Sequence, residues 1–374
     1  MSDAVLHDSG PEVNQHTLIQ EGEIYLYQAY DVAFQIDLVQ AVKNLQQGIE
    51  RPQLAKERRQ PQWFGYDPPP VRITQSVESI QLAGFDSDTT VEVTLWDFGA
   101  VSVAFRLPMR EGTSLSTLVK LSAELASTDL FEVSGARLVE KLVKQLGSAL
   151  TKPYISTTVE DYVVFELRKL SSALSGEAFL RQHARTVAQL LIAEDAEDLS
   201  SEIVEEAISH RSSFTTADIV LINWRGALIY GRDNEDTRAV LEFAQAQHLE
   251  LQILDEQLDQ YLEDASQISK RWAFNTREDT SIVRQLSIDA SLLFEAINNA
   301  LKLVGEQYLA TLYDLSARRL KLPVLHETIE RKLAVLNSIY DKIVDRQTVR
   351  RQAIMELIII VLIALELLRD LLKH

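Results

Sequence analysis

Thr90-Val91-Glu92-Val93-Thr94-Leu95-Trp96 and Ala100-Val101-Ser102-Val103-Ala104-Phe105 are two β-prone runs separated by Asp97-Phe98-Gly99. β-Branched and aromatic residues suit a pleated, half-buried surface, and glycine supplies the positive φ that a three-residue hairpin loop needs. The stretch predicts an antiparallel hairpin, and with it a sheet. Working outward, Ile24–Tyr30 predicts a strand, Leu38, Val39, Val42 and Leu45 predict a helix near Ile36–Gln47, and Val71–Leu82 predicts another strand. Pro52, Pro61, Pro68, Pro69 and Pro70 remove too many backbone donors for either element, so Arg51–Pro70 is expected to be an exposed loop. Helices are expected near Leu115–Ser127 and Gly135–Leu150. Tyr162–Leu167, Ile219–Trp224 and Ala227–Tyr230 read as further short strands, the last two broken at Arg225-Gly226. This order predicts an α+β fold with a mixed or antiparallel N-terminal sheet.

The C-terminal part reads differently. Leu251, Leu254, Leu258 and Tyr261 recur at helical spacing, and so do Leu286, Ala290, Leu293, Ile297, Leu301, Val304, Tyr308, Leu312 and Leu315. Pro323 is expected to end that second, longer helix. Ile329, Leu333, Leu336, Tyr340 and Ile343 then alternate at four and three. The register resumes through Ile354, Leu357, Val361, Ala364, Leu368 and Leu371, which is the seam of a coiled coil. The expectation is a long antiparallel helical hairpin whose second arm spans roughly 70 Å at ~1.5 Å per residue. Four segments follow: a flexible head at 1–22, an α+β domain at 23–233, a helical region at 234–320, and a long helix at 324–374 with its apolar end at 353–372.

Composition narrows the function. The net charge of −18 opposes a general nucleic-acid surface, because phosphate binding depends on Lys and Arg. Its distribution is uneven: Leu190–Asp264 holds eighteen acids against four Arg, whereas Arg318–Arg351 holds nine Lys and Arg against four acids. The absence of cysteine excludes disulfides, thiolate metal sites and thiol nucleophiles from this sequence. The N-terminal residues lack the pattern of a secretory or organellar signal, so a cytoplasmic location is expected.

Catalytic chemistry finds no foothold. The sequence contains no glycine-rich phosphate loop and no Gly-x-Ser-x-Gly elbow. Its seven histidines are never three or four residues apart, so no catalytic, cofactor-binding or metal-ligating residue is assigned. Glu194, Asp195, Glu197 and Asp198 lack the glycine and bidentate glutamate of a calcium loop and read as a solvated helix end. Trp96, Trp224 and Tyr230 read as sheet core.

What remains is the last helix. Leu357, Ile358, Ile359, Ile360, Val361, Leu362, Ile363 and Leu365 form an apolar stretch, with Arg346, Arg350 and Arg351 just upstream. A membrane span wants about twenty apolar residues, and Glu356 and Glu366 interrupt this one, so the stretch reads as a transmembrane helix of marginal length. The arginines suit anionic headgroups at the inner face of a cell membrane. The alternative is a water-soluble homo-oligomer. Because the run is apolar all round, it needs more than one partner helix or lipid. An oligomeric, non-enzymatic scaffold with an unidentified protein partner is the expectation, with or without membrane contact; the remote alternative is an uncharacterised hydrolase or nucleotide-binding enzyme with its site in the head domain.

Tyr30-Asp31-Val32-Ala33-Phe34-Gln35-Ile36-Asp37-Leu38, Leu95–Val103, Ile329–Asn337 and Met355–Ile363 occur in an order that resembles the "required for meiotic nuclear division" proteins of bacteria, fungi and mitochondria, as a divergent member. The resemblance implies an α+β head, a C-terminal hairpin ending in a hydrophobic segment, homo-oligomerisation and membrane association. It supplies no catalytic residue.

Overall fold

The computed structural model describes residues 17–47, 64–66, 68–196, 198–231, 234–270, 277–299, 301–303 and 307–371. The Arg51–Pro70 loop and the 1–22 head therefore fall largely outside the described residues.

The anchor is β1 (Leu18–Asp31), a strand of 14 residues. Its alternate residues face two different cores, so it must lie mid-sheet with cover on both sides. In chain order the principal strands that join it are β2 (Val71–Ser76), β3 (Thr90–Leu95), β4 (Ala100–Pro108), β5 (Val159–Leu170), β6 (Arg211–Ser212), β7 (Ile219–Ile222) and β8 (Gly226–Tyr230). The sheet runs β6-β7-β8-β5-β1-β4-β3-β2, with the two-residue strand Thr113–Ser114 added at the start of β1. β5 and β8 pair in parallel and the other neighbours antiparallel, which makes the sheet mixed.

The expected hairpin is β3–β4, closing at Leu95↔Val101. Trp96 N–H donates to the Ala100 carbonyl at 3.0 Å, and Gly99 takes φ +108°. A Cβ on Gly99 would lie 1.9 Å from the Ala33 carbonyl oxygen, so this turn needs glycine for space as well as for its backbone angle.

On one face of the sheet, Ile24, Leu26, Val93, Phe105 and Phe165 meet α1 (Leu38–Gln47), α2 (Leu115–Ser127), α3 (Leu130–Leu146) and α4 (Gly176–Ile192). Ser114 and Ser175 cap α2 and α4 by accepting from the N–H groups of Thr117 and Ala178. A short helix, α5 (Ser201–Ala207), follows. On the other face, Tyr25, Tyr27, Tyr162, Val164 and Ile229 are covered by α6 (Glu235–Lys270) and, later in the chain, by α8 (Gln307–Arg319). Trp96 and Tyr230 are buried as expected. Trp224 is not: it sits at the β7–β8 turn, 38% exposed, beneath the cations of Arg319 and Lys321.

The C-terminal helices depart from the expected hairpin. The single helix read through Leu286–Leu315 is broken: α7 (Arg277–Asn299) ends, Leu301–Leu303 pairs with Phe64–Tyr66, and only then does α8 begin. The apolar period runs on because both pieces are buried, but against different partners. α7 packs in the helical core and α8 on the sheet. Pro323 lies in the first turn of α9 (Leu322–Leu371), where its missing N–H costs nothing.

The partner of the α9 seam is chiefly α6. Lys332 bridges Asp255 and Asp259 at 2.8 and 2.7 Å, and Arg346 donates to the Ser269 carbonyl at 3.3 Å, so the two helices advance in the same direction. α7 runs the other way, with Phe294 against His326 and Ser287 bonded to Asn337. Ile329, Leu333, Leu336 and Ile343 are buried in this three-helix stalk against Leu254, Leu258, Val283 and Leu293, and Tyr340 packs at its margin. The seam residues thus meet a partner within their own chain.

Gly99→Ala is expected to destabilise the chain by about 3 kcal/mol, the upper end for a strained non-glycine residue at positive φ. A urea midpoint equal to that of the native chain would contradict this account of the turn.

Candidate functional site

Two features stand out, one on the sheet and one at the end of α9. The first is a polar cleft of about 520 Å³ between the sheet and the start of α6, lined among others by Glu23, Tyr25, Arg106, Glu166, Arg168 and Arg238. Strand alternation sends Glu23 and Tyr25 of β1, Arg106 of β4, and Glu166 and Arg168 of β5 to the same face, and the first turns of α6 bring Arg238 down onto them.

These charges form an alternating chain. Arg106 spans Asp88 and Glu23, Arg168 spans Glu23 at 2.7 Å and Glu166 at 2.7 Å, and Arg238 completes the pairing of Glu166. The Arg238 guanidinium also lies 4.2 Å from the Tyr25 ring centre. Glu166 is 1% exposed, so its charge is supported entirely by the two guanidiniums. Burial pushes the Glu23 carboxyl up, but hydrogen bonds from Arg106, Tyr25 and Arg168 outweigh it and hold it at about 2. The Arg168 and Arg238 guanidiniums are held above their ordinary range: the carboxylates beside Arg168, and the tyrosines and Glu166 beside Arg238, outweigh burial. The arrangement clamps α6 to three strands and presents charge toward the cleft. It contains no cysteine, serine or histidine nucleophile. Among the described residues no group of three His, Asp or Glu is placed to hold a metal ion.

Further along the same contact, Asp31 ends β1 opposite Glu250 of α6. Both are fully buried, and Asp31 Oδ1 and Glu250 Oε1 have no hydrogen-bond partner. Tyr154 donates to the other oxygen of Asp31. Burial pushes the Asp31 carboxyl up to about 7. Burial and then the charge of Asp31 push Glu250 well above its ordinary range. Burial thus favours the protonated form of both carboxyls in the folded chain, and the charge of Asp31 adds to this at Glu250.

The second feature is the end of α9. Arg346 makes the last described contact with α6, and beyond it the described side chains are exposed as far as Leu365, about 19 residues or ~28 Å of helix at 1.5 Å per residue. Ile354, Met355, Leu357, Ile358, Ile359, Ile360, Val361, Leu362, Ile363 and Leu365 are each 48–62% exposed. Arg351 is exposed, and the side chain of Arg350 lies outside the described residues. Among the described residues, no helix is long and apolar enough to cross a membrane, which corrects the expected transmembrane segment. Glu356, inside the apolar stretch, and the arginines before it are the physical reason.

The terminal residues were legible in the sequence; the cleft residues were not. Their signal was charge inside apolar strands, Glu23 before Ile24–Tyr30 and Glu166-Leu167-Arg168 at the end of an apolar run. A charged residue on a strand buried on both faces calls for a partner.

Residues 21–237 match the family described as "Uncharacterized protein MJ0711, N-terminal domain", and the chain belongs to that family. A relative in it, "Uncharacterized protein MJ0711" of Methanocaldococcus jannaschii, is 21% identical over 260 residues, covering 68% of this chain and 79% of that protein. No solved structure matches. This overturns the resemblance to the meiotic nuclear division proteins, to which neither match points. That resemblance rested on a strand-turn-strand and an apolar helix, patterns that burial alone produces in unrelated chains.

Two outcomes are expected. Glu166→Gln leaves two guanidiniums with a neutral amide and costs about 3–5 kcal/mol in urea unfolding. Because burial keeps Asp31 and Glu250 protonated to higher pH in the folded chain than in the unfolded one, their contribution favours folding near pH 4. That contribution is lost as pH rises toward 7, by on the order of 2–4 kcal/mol. Glu250→Gln removes one of the two titrating carboxyls and is expected to flatten this decline in part; the same pH slope in both chains would contradict a raised carboxyl at Glu250.

Proposed function

We propose that this protein is a non-enzymatic scaffold that assembles through the free end of α9, with the sheet domain presented to a protein partner. One observation carries the reading: a helix that leaves its own three-helix stalk and exposes apolar side chains on every side for several turns. Each such side chain taken from half exposure to burial contributes about 1 kcal/mol, and an apolar patch of this extent on a charged chain marks a contact surface. The cleft supports the reading from the other direction, since Glu23, Glu166, Arg106, Arg168 and Arg238 are paired with one another.

A second reading adds the surface of a membrane. It is favoured by the position of Arg346, Arg350 and Arg351 immediately before the apolar stretch, where basic residues meet anionic headgroups. The helix then lies against lipid without crossing it.

The test is sedimentation of the full chain beside the double variant Ile359→Asp, Ile363→Asp. Both positions are exposed, so the fold is expected to survive. The native chain should sediment as an oligomer and the variant as a monomer; identical monomeric sedimentation removes the scaffold reading. Flotation with phosphatidylglycerol vesicles separates the two forms of it. Recovery of the native chain only in the dense fraction removes the membrane.

A further inference from the structure

We infer that the free ends of α9 join copies of this chain tail to tail, neighbouring helices running antiparallel, in a four-helix bundle. This rests on the assembly reading above and adds the partner, its direction and its number.

Direction follows from charge. Apolar burial is non-directional, so the stretch from Ile354 to Leu365 is covered equally well by a parallel or an antiparallel neighbour. The flanks are not equivalent. Asp345, Arg346, Arg350 and Arg351 make the segment before the apolar stretch net positive by two. Glu366, Arg369 and Asp370 make the segment after the apolar stretch net negative by one, and Lys373 brings that flank to zero, while Glu356 lies inside the stretch. Parallel copies set arginine beside arginine at the helix spacing of about 8–10 Å, about the screening length of physiological salt. Antiparallel copies set the arginine end of each helix beside an end of its neighbour that carries no excess of positive charge.

The rest of α9 agrees. Below Arg346 its outer side carries Glu330, Arg331, Asp341 and Lys342, all exposed, so the apolar surface does not continue toward the sheet domain along a parallel neighbour. Contact is confined to the free end, and overlap of two free ends places the two sheet domains at opposite ends of the joint.

Number follows from girth and symmetry. Leu357–Ile363 are exposed all round, and one neighbour covers only one face. Three identical helices cannot each have only antiparallel neighbours. Four can, with dihedral symmetry, and this is the smallest closed arrangement in which every neighbour is antiparallel and each helix has two of them.

The chain has no cysteine, so single spin labels can be placed in the full protein as Val349→Cys and, separately, Leu365→Cys. Both side chains are exposed, at 64% and 58%. In an antiparallel joint the axial separations between like sites sum to at least ~48 Å whatever the register, at ~1.5 Å per residue. At least one site must then show a label-to-label distance beyond about 24 Å, and Val349→Cys about 30 Å if the free ends overlap fully. Light scattering is expected to give a tetramer. Short distances alone at both sites, in a chain that still assembles, overturn the direction and leave the scaffold reading standing. A dimer, a trimer or a larger assembly overturns the number. A monomer overturns the scaffold reading itself.

Discussion

Helix α6 serves two cores at once, and the placement of the rest follows from how it is seated. Its first turns lie on the sheet, where Ala239, Val240 and Leu241 meet the tyrosines of β1 and β5. Its later turns, through Leu254, Leu258 and Ala265, form one wall of the stalk. A helix held only by apolar contact can slide by a turn at modest cost, since packing tolerates many registers. Arg238 removes that freedom. Its guanidinium is fixed by Glu166 on one side and the Tyr25 ring beneath, and a shift of one turn would leave Glu166 buried with half its partners gone. α9 lies along α6, so the ionic clamp on the sheet also fixes where the free helix end points.

The parts of this fold that could be read from sequence are those in which one local pattern has one cause. The β3–β4 hairpin is specified by two alternating runs and a glycine in a site that admits nothing larger. The seam of α9 is specified by apolar residues at four and three. The failures lie where one pattern has two causes. Leu286–Leu315 keeps helical spacing across a break because α7 and α8 each bury a face, one in the stalk and one on the sheet. Periodicity records that a residue is covered and says nothing of what covers it. The alternating charges of the cleft come from four elements far apart in the chain, and no local pattern assembles them.

The apolar end of α9 shows the same ambiguity at a larger scale. Its composition resembles a short membrane helix, while its register continues a seam that the chain itself fills as far as Ile343. The two signals coexist because the helix changes surroundings along its length. α6 ends at Lys270, α7 begins at Arg277, and α9 continues past both.

The pairing of β1 also has a consequence in time. Ile24 finds one neighbour at Leu107 and the other at Phe165, so the central strand is complete only after nearly half the chain has been made. Its second face waits for α6, and α8 follows later still. During synthesis the tyrosines of β1 and β5 are therefore exposed on a growing polypeptide whose contacts are mostly long-range, the condition under which folding is slow and premature association is a hazard. Glu23 gains Arg106 and Arg168 as β4 and β5 pair with β1, and Glu166 has Arg168 beside it and lacks only Arg238 until α6 arrives, so that surface carries charged groups through the interval. The clamp that fixes the finished fold acts earlier as protection for the unfinished one.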